Sequence, residues 1–259
     1  MSRFAANIST LFTAHPFLER FALAARAGFR AVEMQFPYEH KPAELAAAVS
    51  RAGVEVVLIN MPAGDFAGGE RGIACLPDRV DEFHRAVRQA ANYAEALGCP
   101  RVNCLAGNVP EGAVYEACWD VLVENLRHAA DSLAMRNIRL LVEPLNGVDN
   151  PRFIIGNMAS AVDLLTVTGS PNLALQYDVY HARAAGEDVL AGLARQIGKL
   201  GHIQISDYPG RGEPGTGALD FAGLFRALEH LPYDGWVGCE YFAAEPGNFG
   251  WMKALQLRP

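Results

Sequence analysis

Residues 54–61 read VEVVLINM and residues 101–107 read RVNCLAG, and a helical stretch at 78–97 lies between these two short apolar runs. Both runs are apolar along most of their length, as strands that are covered on both faces should be. A buried strand, a helix and a second buried strand make up the βαβ unit of parallel sheets. The stretch therefore predicts an α/β fold.

The same alternation continues toward both ends of the chain. Six more apolar runs are strand candidates, and they lie at 4–9, 31–35, 139–146, 173–181, 202–207 and 236–242. Eight strands that alternate with helices favour closure into a (β/α)8 TIM barrel, and we predict a single domain over residues 1–259. The alternative is a doubly wound open sheet. It normally carries a glycine fingerprint after its first strand, where this chain reads NISTLFTAH.

The stretches between the strands have helical patterns with recognisable ends. Besides 78–97, helices are predicted at 16–28, 42–53, 114–136, 157–168, 187–199 and 220–230. Gly28 and Gly53 stand at helix ends, where glycine readily takes the left-handed C-cap conformation. Asp78 and Asp220 are predicted N-caps, because their carboxylates can accept the free amide hydrogens of a first turn.

The composition excludes several classes of protein. The 259 residues are 51% hydrophobic and 20% charged, with a formal net charge of −7 and no basic run, so a nucleic-acid partner is not expected. No apolar stretch approaches the roughly 20 residues of a membrane helix, and no signal-peptide core follows the N-terminus. We therefore predict a cytoplasmic protein without a membrane partner. The five cysteines form no CxxC pair, which indicates reduced thiols.

Four polar residues lie inside the last four apolar runs, which are otherwise fit for burial. They are Glu143, Asp178, Gln204 and Glu240. A buried carboxylate is costly unless it is paired, hydrogen-bonded or bound to a metal. Active sites of TIM barrels lie at the C-terminal ends of the strands, where these residues are expected to meet. Three carboxylates and one amide oxygen form an all-oxygen set that suits Mg²⁺ or Mn²⁺, so the sequence predicts a divalent metal site.

Two histidines flank these candidates. His181 comes three residues after Asp178, near the predicted end of its strand, and we assign it a role in substrate binding. His202 comes two residues before Gln204, at the start of its strand. The start of a barrel strand is the stability face, so His202 is interpreted as structural.

Two glycine-rich loops follow predicted strands and each carries an arginine. The loop at 208–220 reads YPGRGEPGTGALD and contains Arg211, and the loop at 62–72 reads PAGDFAGGERG and contains Arg71. Long loops after barrel strands commonly determine specificity. We predict that both loops cover the barrel mouth and that these arginines bind a substrate carboxylate, because a guanidinium offers it a two-pronged partner.

Several longer motifs resemble those of the hydroxypyruvate isomerases, within the xylose isomerase-like TIM-barrel superfamily. They run nearly end to end and include RFAANIST, PAGDFAGGERGIACLP, VEPLN, QYDVYH, GHIQISD, RGEPGTG and GWVGCEY. The resemblance implies that Glu143 and Glu240 transfer protons. It also implies that Glu143, Asp178, Gln204 and Glu240 hold the metal.

The resemblance extends to the substrate contacts. Sugar epimerases of the wider superfamily are similar in the Asp178–His181 spacing, which implies that His181 contacts a substrate oxygen and that Arg211 also binds substrate. The chain departs from the family after GCEY. The family continues there with Lys-Pro, whereas this chain has Phe242 and Ala243 and a short tail, a difference that bears on the choice of substrate.

The expected reaction is the isomerisation of hydroxypyruvate to tartronate semialdehyde through an enediolate, with a metal as Lewis acid. The substrate would be a small 2-oxo acid or sugar acid, and a homo-oligomer is compatible with the sequence. Alternatives on the same barrel are a 2-oxo-tetronate isomerase, a ketose 3-epimerase and a sugar-binding barrel without catalysis. A metal-dependent nuclease would need more histidine ligands and a basic groove.

Overall fold

Eight parallel strands close into a barrel in chain order in the computed structural model, which describes residues 3–243 and 247–258. The strands are β1 (Arg3–Asn7), β2 (Ala31–Met34), β3 (Glu55–Asn60), β4 (Arg101–Cys104), β5 (Arg139–Val142), β6 (Leu173–Asp178), β7 (Leu200–Ile205) and β8 (Trp236–Cys239). Pairing of β1 with β8 closes the barrel, with Arg3 opposite Trp236. The predicted α/β barrel is confirmed.

Helices surround the barrel and connect its strands. They are α1 (Arg20–Arg26), α2 (Pro42–Ala52), α3 (Val80–Leu97), α4 (Tyr115–Ala134), α5 (Met158–Thr168), α6 (Val179–Ala184), α7 (Val189–Gln196), α8 (Phe221–His230) and α9 (Gly250–Ala254). Every helix predicted from the sequence is present, with ends shifted by a few residues. The short helices α6 and α9 were not predicted.

The chain turns from strand to helix earlier after β6 than the sequence predicted. The apolar run 173–181 predicts one strand, but Asp178 ends β6 and its carboxylate accepts the N–H of Tyr180, which caps the first turn of α6. His181 therefore lies on a helix, and the prediction that it ends a strand is wrong. Burial continues from β6 into α6, so hydropathy alone could not place the boundary.

The predicted helix ends are largely confirmed. Gly53 ends α2 with a left-handed φ of 67°, and Gly28 follows α1 with a φ of 101°. Asp220 caps α8 by accepting the N–H of Gly223. Asp78 is not an N-cap, because it lies in a 3₁₀ turn that precedes α3.

Side chains of the strands separate into two environments. Those that point outward pack against the helices in the main hydrophobic core. Alternate residues share one face of a strand. Toward the C-terminal ends of the strands the buried residues include polar ones, such as Asn60, Asn103 and Asp178. All five cysteines are buried and free. Within the described residues, no helix has the length and apolar character needed to cross a membrane.

Candidate active site

The four predicted site residues all lie at the C-terminal mouth of the barrel. Asp178 is the last residue of β6 and Gln204 lies near the end of β7, whereas Glu143 and Glu240 directly follow β5 and β8. Each is at most 4% exposed, so each side chain lies inside the barrel rather than in solvent. The barrel thus brings together residues that are nearly 100 positions apart in the sequence.

An amide on β6 connects two of these residues. Gln176 Nε2 donates to Glu143 Oε2 at 2.9 Å and to Gln204 Oε1 at 2.5 Å. Asn103 Nδ2 donates to the same oxygen of Glu143 at 3.0 Å. These bonds fix the Glu143 carboxylate beside the Gln204 amide oxygen.

Arg211 connects the other two site residues, Asp178 and Glu240. Its Nη2 atom donates to Asp178 Oδ2 and to Glu240 Oε2, each at 2.9 Å. The loop after β7 thus extends over the mouth and directs its arginine at two of the buried carboxylates. Arg211 Nε has no hydrogen-bond partner among the described residues, which leaves one donor of the fork free for a ligand.

Burial and mutual repulsion raise the pKa values of the three carboxyl groups. Burial is the largest cause for Glu143, whose pKa lies well above its usual range, followed by the charges of Glu240 and Asp178. Burial also raises the pKa of Asp178, against the opposing effect of Arg211. The pKa of Glu240 is raised to about 7 by burial, again with Arg211 opposing. A carboxyl group that titrates near neutral pH can both accept and donate a proton.

The donor set fits a divalent metal ion. Three buried carboxylates against the single guanidinium of Arg211 leave two negative charges when all are ionised. A divalent cation would cancel this excess, and carboxylate and amide oxygens are the ligands that Mg²⁺ and Mn²⁺ prefer. Carboxylate oxygens of Glu143 and Asp178 and a ring nitrogen of His181 lie within 4.8 Å of one another, so these three side chains surround one point of the mouth.

His181 is better suited to donate a hydrogen bond than to bind a metal. The backbone N–H of Asn146 donates to His181 Nδ1 at 3.1 Å, and Asn146 Nδ2 lies 2.7 Å from the same atom. Nδ1 is therefore an acceptor, and the proton of the neutral ring lies on Nε2. Burial lowers the pKa of His181 well below its usual value and favours this neutral form. A protonated Nε2 cannot bind a metal, but it can donate to a substrate oxygen.

A buried carboxylate that was not predicted from the sequence lies beneath the site. Glu33 accepts from Gln204 Nε2 at 2.7 Å and from Asn7 Nδ2 at 2.9 Å, and His202 Nε2 lies 2.6 Å from its second oxygen. Glu33 thereby holds the Gln204 nitrogen away from the mouth. His202 is fully buried beside Glu33, which agrees with a structural role.

The signal for this residue was present in the apolar run 31–35. That run contains Glu33 and Gln35, polar residues in a strand otherwise fit for burial, as at the four predicted positions. Gln35 also reaches the site, where its Nε2 donates to Glu240 Oε1 at 2.6 Å. The same criterion applied to all eight strands would have found both.

Space for Glu33 depends on a glycine in β8. A Cβ atom at Gly238 would overlap the Glu33 carboxylate. We expect Gly238→Ala to lower the free energy of unfolding by about 2 kcal/mol, because the carboxylate would have to leave its donors. Chemical denaturation measures this effect. Gly198→Ala is the control, because a Cβ there meets no atom of the described residues within 4 Å. Equal stability of the two variants would contradict the packing assigned to Gly238.

A cavity of about 280 Å³ opens at the barrel mouth above these residues. Its lining includes Glu143, Glu240, His181, Arg211 and Arg71, so both predicted arginines reach the same cavity. The predicted placement of the two loops is confirmed by this arrangement. Arg71 lies over the Phe66 ring, 4.3 Å from its centroid, and its Nη1 donates to the carbonyl oxygens of Phe66 and Glu70.

A larger groove of about 400 Å³ on the outside of the barrel also contains acidic residues. Each of these carboxylates accepts a hydrogen bond from a backbone N–H group. Asp188 and Asp220 cap α7 and α8, and Glu187 accepts the N–H of Met158. The acids of this groove therefore have structural partners, and the barrel mouth is the better candidate for chemistry.

Eight parallel strands with a carboxylate-lined cavity at their C-terminal ends define a TIM-barrel enzyme. A family model described as xylose isomerase-like TIM barrel matches residues 21–258. The chain therefore belongs to the xylose isomerase-like TIM-barrel family, and it is an isomerase of the aldose–ketose type.

Individual relatives cover nearly the whole chain. A hydroxypyruvate isomerase from Escherichia coli (strain K12) is 46% identical over 241 residues, which is 93% of each chain. A 2-oxo-tetronate isomerase from Cupriavidus necator is 41% identical over 255 residues, 98% of each. The crystal structure of an AP endonuclease, family 2, from Brucella melitensis is 42% identical with a TM-score of 0.94, over 98% of this chain and 99% of that one.

Proposed function

We propose that this isomerase interconverts hydroxypyruvate and tartronate semialdehyde (2-hydroxy-3-oxopropanoate) with the help of Mg²⁺ or Mn²⁺. The observation that carries the proposal is the cluster of Glu143, Asp178 and Glu240 at the barrel mouth, three buried carboxylates of which Asp178 and Glu240 share Arg211. Such a cluster is costly for folding alone, and it suits a reaction that moves protons near a cation. The similarity to a hydroxypyruvate isomerase supports the choice of substrate.

The metal would be held by Glu143, Asp178, Gln204 and Glu240. Bound there, a divalent cation would act as a Lewis acid on the two substrate oxygens that exchange roles. Two interactions support the assignment of Gln204. Its nitrogen donates to Glu33, and its oxygen faces Gln176 beside Glu143, so oxygen rather than nitrogen is available at the mouth.

Proton transfer is assigned to Glu143 and Glu240. One glutamate removes a proton from the hydroxymethyl carbon C3, which leaves an enediolate, and the other returns a proton to C2. The hydroxyl hydrogen on O3 moves to O2, so the product is an aldehyde at C3 and an alcohol at C2. In the absence of metal, burial raises the pKa of Glu240 to about 7.

The remaining cavity residues would bind and orient the substrate. His181 Nε2–H would donate to a substrate oxygen, because Asn146 occupies Nδ1. The arginines would neutralise the substrate carboxylate. Arg211 Nε has no partner in the described part of the chain, and Arg71 lies at the cavity edge against Phe66.

Replacing the arginines by lysine tests the carboxylate assignment. Lysine keeps the charge but loses the planar fork, so we expect Arg211→Lys and Arg71→Lys each to raise KM about tenfold. Steady-state kinetics measure this change. Arg136→Lys is the matched control, because Arg136 bonds Glu95 and Asn92 on the outside of the barrel. An unchanged KM in both site variants would remove these arginines from the substrate model.

A direct assay separates the candidate substrates. The purified protein would be offered hydroxypyruvate, 2-oxo-tetronates and ketoses, each with Mg²⁺, with Mn²⁺ and after chelation. The proposal requires turnover of hydroxypyruvate that is lost with the metal. Preferred turnover of a four-carbon acid would instead support a 2-oxo-tetronate isomerase, the activity named for the relative from Cupriavidus necator. Epimerisation of ketoses alone would support a 3-epimerase.

A non-catalytic sugar-binding barrel remains the alternative from another class. It would bind ligand without turnover under every condition of the same assay. The single-domain organisation over residues 1–259, the cytoplasmic location and a homo-oligomeric state stay predictions from the sequence.

A further inference from the structure

The loop between β7 and α8 holds Arg211 in a conformation that needs support. Arg211 has a φ of 57°, in the left-handed region that side chains other than glycine rarely adopt. Backbone bonds secure both sides of this residue. Its own carbonyl accepts the N–H of Phe242 at 2.9 Å, and the carbonyl of Gly212 accepts the N–H of Asp207 at 2.8 Å. A strained residue at a functional site persists only where its surroundings determine its conformation.

The carboxylate of Asp207 is the centre of this loop. It is fully buried, and both of its oxygens accept from backbone N–H groups. Oδ1 accepts from Tyr208 at 2.8 Å and from Leu219 at 3.1 Å, and Oδ2 accepts from Gly215 and Gly217, each at 2.8 Å. Four donors from both ends and the middle of one loop therefore converge on one side chain.

The fit around this carboxylate is tight. A Cβ atom at Gly217 would overlap Asp207 Oδ1 and the carbonyl oxygen of Tyr208. Glycine at this position lets the backbone approach the carboxylate closely. The four hydrogen bonds of the Asp207 carboxylate all come from its own loop, so its effect on the cavity would pass through Arg211, which the loop places there.

We propose that Asp207 is the positioning residue for Arg211. By gathering the backbone N–H groups of residues 208–219 around one carboxylate, it holds the loop in the shape that directs the guanidinium at Asp178 and Glu240. The inference rests on the proposed role of Arg211 in substrate binding for its kinetic consequence. Its structural part, the fixation of the loop, is independent of that role.

Asp207→Asn tests the fixation of the loop directly. The amide offers one acceptor oxygen and places an NH₂ group against two of the N–H donors. The loop should therefore open more often, and trypsin should cut after Arg211 about tenfold faster than in the native protein. Mass spectrometry of the fragments measures the rate. Asp220→Asn is the matched control, because Asp220 ends the same loop and, within the described residues, its side chain accepts from Gly223 N–H alone.

Kinetics on hydroxypyruvate test the action through Arg211. Asp207→Asn is expected to raise KM about tenfold and to change kcat less than about threefold, because binding rather than proton transfer is affected. In an Arg211→Met background there is no guanidinium to position, so adding Asp207→Asn should change KM less than about twofold. Gly217→Ala displaces the same carboxylate and should reproduce the effects of Asp207→Asn. It replaces Asp207→Asn in these tests if that variant fails to fold.

A failure of this inference can be distinguished from a failure of the proposed function. Native protein without isomerase activity would reject the proposed function, while faster cleavage after Arg211 in Asp207→Asn would still support the fixation of the loop. Cleavage at the native rate in both Asp207→Asn and Gly217→Ala would overturn the inference. An equal rise in KM with and without Arg211 would also overturn it, because Asp207 would then act by another route.

Discussion

Glu143→Gln and Glu240→Gln are each expected to lower turnover about 100-fold or more at saturating metal. Glutamine keeps the size of glutamate and an oxygen that can bind a cation, but it cannot accept a proton near neutral pH. Both side chains are buried at the barrel mouth, so solvent cannot readily replace them as proton carriers. Steady-state assays with hydroxypyruvate over a range of Mn²⁺ concentrations separate lost turnover from weakened metal binding.

Asp178→Asn is the matched control for these variants. Asp178 belongs to the same buried cluster, but it is assigned only a ligand role. Its activity should therefore largely recover as the metal concentration rises. Substantial turnover in either glutamine variant at saturating metal would contradict a two-base mechanism and favour one base or a hydride shift.

Heavy water provides an independent measurement. If the removed proton exchanges with solvent while it resides on a glutamate, product formed in heavy water carries deuterium at C2. A hydride shift would transfer the original hydrogen and leave C2 without deuterium.

Without metal, Glu240→Gln is expected to make the protein more stable at neutral pH. The pKa of Glu240 is about 7 in the folded protein, raised mainly by burial from an ordinary value of 4.5. The folded state thus binds this proton more tightly than the unfolded state. The stability that the folded protein gains by binding this proton is fully present below about pH 4.5. It is lost as the pH rises through about 7. This contribution to the free energy of unfolding is on the order of 3 kcal/mol. Glutamine does not titrate, so the Glu240→Gln variant does not lose stability in this way.

Chemical denaturation of chelated protein tests this expectation. The wild type should lose stability relative to Glu240→Gln between about pH 4.5 and pH 7, with no further change above that range. Added Mn²⁺ should reverse the order at neutral pH, because an ion that binds only the folded state stabilises it by mass action and prefers the carboxylate. A pH-independent stability difference between the two proteins would show that Glu240 does not carry the raised pKa.

The sequence alone was sufficient to identify the barrel and its four buried polar residues. Both follow from local patterns. Alternation of buried strands with amphipathic helices reflects the period of each element, and a charged residue inside an apolar run is costly enough to indicate a special partner. Glu143, Asp178, Gln204 and Glu240 were found in this way. Glu33 and Gln35 could have been found by the same criterion.

Only the tertiary structure decided which partners these residues have. Gln35 and Glu240 are separated by 205 positions, and they meet only because β8 pairs with β1 to close the barrel. The helical position of His181 and the hydrogen on its Nε2 likewise depend on Asp178 and Asn146. A sequence pattern reflects what each residue costs to bury. The relative positions of side chains distant in sequence are fixed by chain closure and backbone hydrogen bonds, which local periodicity does not contain.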